Sequence, residues 1–170
     1  MGASARRPVE VFRVHPAILW LTAFAALLLQ TVLPLKVPMA RKIDFPLLIT
    51  IYFSLQRRSK VFGIGLGTVL GLLQDALAHG YIGIYGMTKG LVGFLAASAS
   101  FKFDLEQLAP RLIFAGALIF LHSIFLFGIE RALLEPAPPF RPLDMLSGVL
   151  VNLAIGLVLF QVLDRFKQRG

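Results

Sequence analysis

A chain of 170 residues that is 57% hydrophobic and 15% charged, with a mean hydropathy of +0.79, lies outside the soluble globular class. There about a quarter of residues carry charge. The net charge of +8 would suit nucleic acid, but the basic residues sit at the ends of apolar runs, where membrane topology places them, and not on a surface with aromatics beside them.

These properties predict an all-α polytopic membrane protein with about six transmembrane helices, arranged as one domain over residues 16–163. A basic N-terminal segment (1–15) and a basic tail (164–170) flank it. The longest polar interval, 130–144, is too short to bury a core of its own. The absence of cysteine excludes disulfides and thiol chemistry. Arg6, Arg7 and Arg13 precede an apolar run too long for a cleavable signal peptide, so that run reads as a retained first span.

Span one covers about 16–35, with Pro16 suited to a first helical turn. Residues 37–58 are harder to place. Their cleanly apolar part, 45–55, makes only about 16 Å of helix against a hydrocarbon core of roughly 30 Å. It reads either as a short or tilted span, or as a half-helix that enters and leaves on one side. Asp44 before Phe45-Pro46 marks a helix start, with the carboxylate able to cap and Pro46 in the first turn. Gln56-Arg57-Arg58-Ser59-Lys60 stops the segment. Spans three and four are 61–78 and 82–101, and span five is about 108–129. The interval 130–144 contains Pro136, Pro138, Pro139 and Pro142 and should be irregular. Span six is 145–163.

Six spans put both termini on one side. That side carries eleven Lys and Arg, the other five, and Lys89 lies inside a span. The positive-inside rule then places both termini in the cytoplasm. Lys36, Arg41 and Lys42 on the opposite side are the one conflict, and they keep the half-helix open as an alternative.

The hairpin 61–101 reads as the packing centre. Gly63, Gly67, Gly71, Asp75 and His79 recur every four residues, a stripe that drifts by about 40° per step at 3.6 residues per turn. Gly83, Gly86, Gly90, Gly93, Ala97 and Ser100 alternate three and four apart along one seam. Small residues at such spacing allow close helix contact, so Gly63, Gly67, Gly71, Gly86, Gly90 and Gly93 are candidates for helix packing or partner docking. Asp75 and Lys89 would each be costly alone in lipid. An ion pair between them is geometrically open, either to fix the hairpin's register or as half of a contact to a partner helix or solute.

Little else carries chemistry. Gly65-Leu66-Gly67 lacks the glycine spacing and strand–turn–helix context of a nucleotide loop. His15, His79 and His122 lack metal-ligand spacing, and Asn152 on the Gly148/Gly156 stripe reads as interhelical glue. No nucleophile accompanies a base and an orienting group. The expectation is a protein that is not an enzyme and takes neither cofactor nor metal.

The order DFPLLITIYFSLQRRSKVFG followed by GIGLGTVLGLLQDALAHGYIGIYGMTKGLVGFLAA resembles the rod-shape-determining MreD family. Pro46, Arg57, Arg58, Gly67, Gly71, Asp75, Gly80, Gly83 and Gly93 fall on its pattern, which covers the middle third of the chain. Gln74 and Lys89 depart from it. The resemblance implies a non-catalytic inner-membrane component of the bacterial cell-elongation machinery. Such a component binds the bitopic protein MreC and acts with MreB, RodA and its partner transpeptidase in peptidoglycan synthesis. It also implies a fold like the substrate-binding subunits (S-components) of vitamin transporters. That supplies an alternative function, a solute-binding subunit of an energy-coupling-factor-type transporter, with Asp75, Lys89, Asn152 and His122 as candidate lining.

Overall fold

The computed structural model describes residues 16–78, 81–103, 107–136 and 138–166. It is all-helical, with no strand among the described residues: α1 (Pro16–Lys36), a 3-10 turn (Pro38–Lys42), α2 (Phe45–Arg57), α3 (Lys60–Leu77), α4 (Ile84–Ala99), α5 (Leu108–Leu133) and α6 (Pro142–Asp164). Four of them, α1, α3, α5 and α6, are long and apolar enough to cross a membrane. Their outward residues include Trp20, Phe24, Ile113, Leu150 and Val158, all exposed. Large apolar side chains facing outward suit lipid as the surrounding solvent. At 1.5 Å per residue α2 and α4 reach only about 20 and 24 Å, short of a hydrocarbon core.

The short helix α2 is the core. Among the described residues it is the only helix in contact with all five others, which follow one another around it in the order α1, α3, α4, α5, α6. The 3-10 turn touches both α1 and α6 and so bridges the gap in the ring. Pro46 to Leu55 are buried without interruption, Thr50 and Ser54 included. A helix apolar on every side can only satisfy itself in the middle of a protein or a bilayer. Thr50 returns its hydroxyl proton to the Pro46 carbonyl (2.8 Å), which removes one buried donor.

The entry and exit of α2 follow from local chemistry. Asp44 caps it, accepting from Leu47 N (3.0 Å), and Pro46 occupies the first turn, where its missing N–H costs nothing. At the other end Arg58 adopts a left-handed conformation (φ 46°), and Ser59 immediately caps α3 through Phe62 N (3.4 Å). Two residues therefore turn α2 into α3. α1 and α3 run parallel: Leu19 and Trp20 sit near Phe62 and Gly65, while Gln30 to Leu35 sit near Gln74 to Ala78. The chain must return between them, and α2 carries it back through the bundle. The half-helix that enters and leaves on one side does not hold, because the end of α1 and the start of α3 lie at opposite ends of α2.

Two boundaries also move. α5 continues through Glu130 to Leu133, and α6 begins at Pro142, so the described part of the proline-rich interval is irregular only between them. Pro142 starts a helix instead of interrupting one, as a proline in the first turn can. Lys60, read as part of the stop after α2, is the first residue of α3.

The α3–α4 seam is where glycine is required. A methyl group built on Gly63, Gly67 or Gly71 would collide with the carbonyl of Gly93, Lys89 or Tyr85, respectively. Every four-residue step along α3 thus meets a four-residue step back along α4, an antiparallel contact made backbone to backbone. All six glycines named as packing or docking candidates are buried in the chain itself. This stripe is not a free partner surface, because α4 already fills it.

Gly67→Leu should lower the thermal midpoint of the detergent-purified protein by an amount matching at least the roughly 1–3 kcal/mol typical of overpacking, since backbone cannot yield as a side chain can. Gly65→Leu, where an added methyl meets nothing within 4 Å, should leave the midpoint nearly unchanged. Equal midpoints for the two variants would refute the backbone contact.

Candidate functional site

The start of α2 is the polar centre of the molecule. Asp44 spends one carboxylate oxygen on Leu47 N and the other on Lys89 Nζ of α4, at 2.6 Å. Its own N–H donates to Asn152 Oδ1 of α6 (2.7 Å), and the next N–H, of Phe45, donates to Gln30 Oε1 of α1 (3.0 Å). Asn152 in turn gives its amide protons to the carbonyls of Lys42 (2.6 Å) and Gly148 (2.8 Å). Four helices thereby meet at two consecutive residues. Side chains from neighbouring helices satisfy amide groups that a helix start leaves without intrahelical partners.

Lys89 is fully buried, and its ammonium lies 4.3 Å from the centre of the Tyr85 ring. That ring stacks on His122 of α5, with centroids 6.5 Å apart and planes 16° apart. A buried ammonium needs both a counter-charge and a polarisable neighbour, and here it has both.

The expected Asp75–Lys89 pair is not formed. Asp75, 2% exposed, instead receives Gly83 N (2.9 Å) and Gly86 N (3.2 Å) on one oxygen and Tyr85 N (3.2 Å) on the other. It caps the start of α4 from the neighbouring helix. Gly83 occupies the cap position itself with φ 109°, a conformation open to glycine, and offers no side chain of its own. A carboxylate at a helix N-terminus also meets the positive end of the helix dipole. Sequence spacing along the hairpin puts Asp75 within reach of Lys89, but three backbone donors stand nearer, and Asp44 arrives from a helix outside the hairpin.

A second ionic cluster joins the opposite end of α2. Arg111 of α5, 1% exposed, makes a two-pronged contact to Asp164 at the end of α6, and Tyr52 of α2 donates to the same carboxylate (2.9 Å). The guanidinium also lies 5.8 and 5.5 Å from the Tyr52 and Phe160 ring centres. From the sequence, Arg111 reads only as a flanking topology charge and Asp164 only as part of the tail. The one signal for this cluster is a tyrosine in the largely apolar stretch 45–55 of α2. A third contact, Lys42 to Asp144 (3.2 Å) and Ser147 (2.7 Å), ties the 3-10 turn to the first two turns of α6. It absorbs one of the positive charges that conflict with the topology.

Of the residues proposed as solute lining, Lys89, Asp75 and Asn152 are committed to protein partners, and His122 stacks on Tyr85. His79 lies outside the described residues. No group of three or more His, Cys, Asp or Glu side chains is placed to hold a metal among the described residues.

The fold and the site define an all-helical membrane protein whose internal charges are spent on joining its helices. The family model described as rod shape-determining protein MreD matches residues 12–137, from before α1 through α5. The chain belongs to the MreD family. No curated protein and no solved structure matches it.

Breaking the Asp44–Lys89 pair should be costly in a specific way. Lys89→Met leaves a buried carboxylate short of its counter-charge, and Asp44→Asn keeps a capping oxygen while stranding the ammonium. Each should destabilise by about 3–5 kcal/mol, and the double variant by clearly less than the sum. The corresponding cycle with Asp75→Asn should show a smaller coupling to Lys89. Chemical unfolding in detergent measures both cycles, and a larger coupling to Asp75 would restore the hairpin pair.

Proposed function

We propose that the chain is a non-catalytic inner-membrane subunit of the bacterial cell-elongation complex, which binds MreC and scaffolds or regulates lateral peptidoglycan synthesis together with MreB, RodA and its partner transpeptidase. The family match carries this reading. The use of the internal polar groups supports it: they lock helices to one another, as a rigid docking platform requires, and do not converge on a substrate. The chain crosses the membrane several times with both termini in the cytoplasm, in keeping with the eleven-to-five distribution of Lys and Arg.

The transporter reading rests on Asp75, Lys89, Asn152 and His122 lining a cavity. Two cavities between α1 and α3, among the described residues, include none of them. The partner surface, in turn, must lie outside the glycine seam, on the outward faces of the long helices or on the loops.

Affinity capture of the full-length protein from membranes in mild detergent, read by mass spectrometry, should enrich MreC and wall-synthesis proteins. An ATPase pair with a coupling subunit would overturn the reading in favour of a transporter. Depletion should convert rods to round cells. The native chain has no cysteine, so single-cysteine variants report topology directly. Pro139→Cys, between α5 and α6, should react with an impermeant maleimide in intact spheroplasts, and Ser4→Cys only after permeabilisation. The reverse pattern would invert the assigned orientation.

A further inference from the structure

Between α1 and α3 runs a crevice of two unlike halves. One is an apolar groove of about 370 Å³, bordered by Trp20, Phe24 and Leu27 of α1 and by Phe62, Gly65 and Val69 of α3. The other is a cavity of about 310 Å³ near the end of α1, with Gln30, Thr31, Gln74 and Tyr85 in its wall. Leu27 lines both halves, and Leu73 of the groove directly precedes Gln74 of the cavity. The two halves thus adjoin at Leu27, one oily and the other polar.

The polar end has a defined unmet requirement. Gln30 accepts from Phe45 N, and the Thr31 hydroxyl donates to the Leu27 carbonyl (2.9 Å). Gln74 is 6% exposed, and its Oε1 has no hydrogen-bond partner among the described residues. A buried amide oxygen without a donor is expensive. No charged side chain lines this cavity. An ammonium group entering it would meet no carboxylate, whereas a hydroxyl supplies a donor to the Gln74 amide, which turns toward the cavity to meet it, without importing charge. Lys36 follows Leu35 of the cavity wall and ends α1, where it can meet a phosphate outside the mouth.

We propose that this crevice is a lipid site: an acyl chain lies along the α1–α3 groove, and a hydroxyl-bearing headgroup donates to Gln74. The glycerol headgroup of phosphatidylglycerol has this chemistry. Gln74, one of two departures from the family pattern noted in the sequence, thereby acquires a role.

The test is native mass spectrometry of the full-length protein in dodecyl maltoside, titrated with palmitoyl-oleoyl phosphatidylglycerol and, separately, with the phosphatidylmethanol of the same chains. The second lipid keeps the negative charge and lacks the hydroxyl donors. Phosphatidylglycerol should bind roughly tenfold tighter, the equivalent of one recovered hydrogen bond. Gln74→Leu should abolish that preference by weakening phosphatidylglycerol alone. Its thermal midpoint without lipid should not fall, since the variant removes an unpartnered oxygen. Gly65→Leu, which projects into open space, should fill the groove and weaken both lipids. Equal binding of the two lipids by the native chain, or binding of both unaffected by Gly65→Leu, overturns the proposal and leaves the crevice to a partner's helix.

Discussion

The contact on which the architecture depends is the one between Lys89 and Asp44. An ammonium with no exposure to solvent needs an anion within bonding distance, and an apolar helix start needs its free amide groups satisfied. Asp44 answers both demands with its two oxygens. Because Asn152 and Gln30 take the two N–H groups beside it, the same point also fixes where α6 and α1 stand. At the far end, Tyr52 and Arg111 converge on Asp164 and hold α5 and α6 against α2. The buried helix is thus pinned at both ends by ions and packed by hydrocarbon in between. Directional bonds of this kind select one arrangement among the many that oily surfaces alone would tolerate, since packing in lipid lacks a strong hydrophobic drive between helices.

The glycine seam makes the pinning possible. Without side chains at Gly63, Gly67 and Gly71, the backbones of α3 and α4 touch, and α4 lies close enough for Asp75 to cap it from the neighbouring helix. A larger residue in the seam would hold the helices apart and withdraw that carboxylate. The seam therefore works through its effect on polar groups as much as through its own packing. Using the stripe internally also leaves the outward faces of α1, α5 and α6, with their large aliphatic and aromatic residues, as the surfaces open to lipid and partners.

These arrangements describe a protein whose internal charges are paired across helices and whose outward faces are apolar, in keeping with the scaffold role proposed above. The MreD match covers α1 to α5, yet α6 supplies Asn152 and Asp164 to the two clusters at the ends of α2. The helix beyond the matched region is thus structurally integral.

Much was legible from the residues alone. Hydropathy and the clustering of charge determined an all-helical membrane protein. Asp44 before Phe45-Pro46 determined a helix start, because capping depends only on neighbours in the chain. The four-residue glycine period marked α3 as a contact face for the same local reason. Which face it meets, and which charge meets which, depended on residues as much as 112 positions apart. Asp75 and Lys89 lie 14 apart on a hairpin, so reasoning along the chain pairs them. The fold brought Asp44 to Lys89 across 45 positions and Asp164 to Arg111 across 53. It also placed the short segment that hydropathy could not assign at the middle of everything. A helix of 13 residues is too brief to announce itself by length, and its uninterrupted burial has no period to detect, so only the helices packed around it reveal its place.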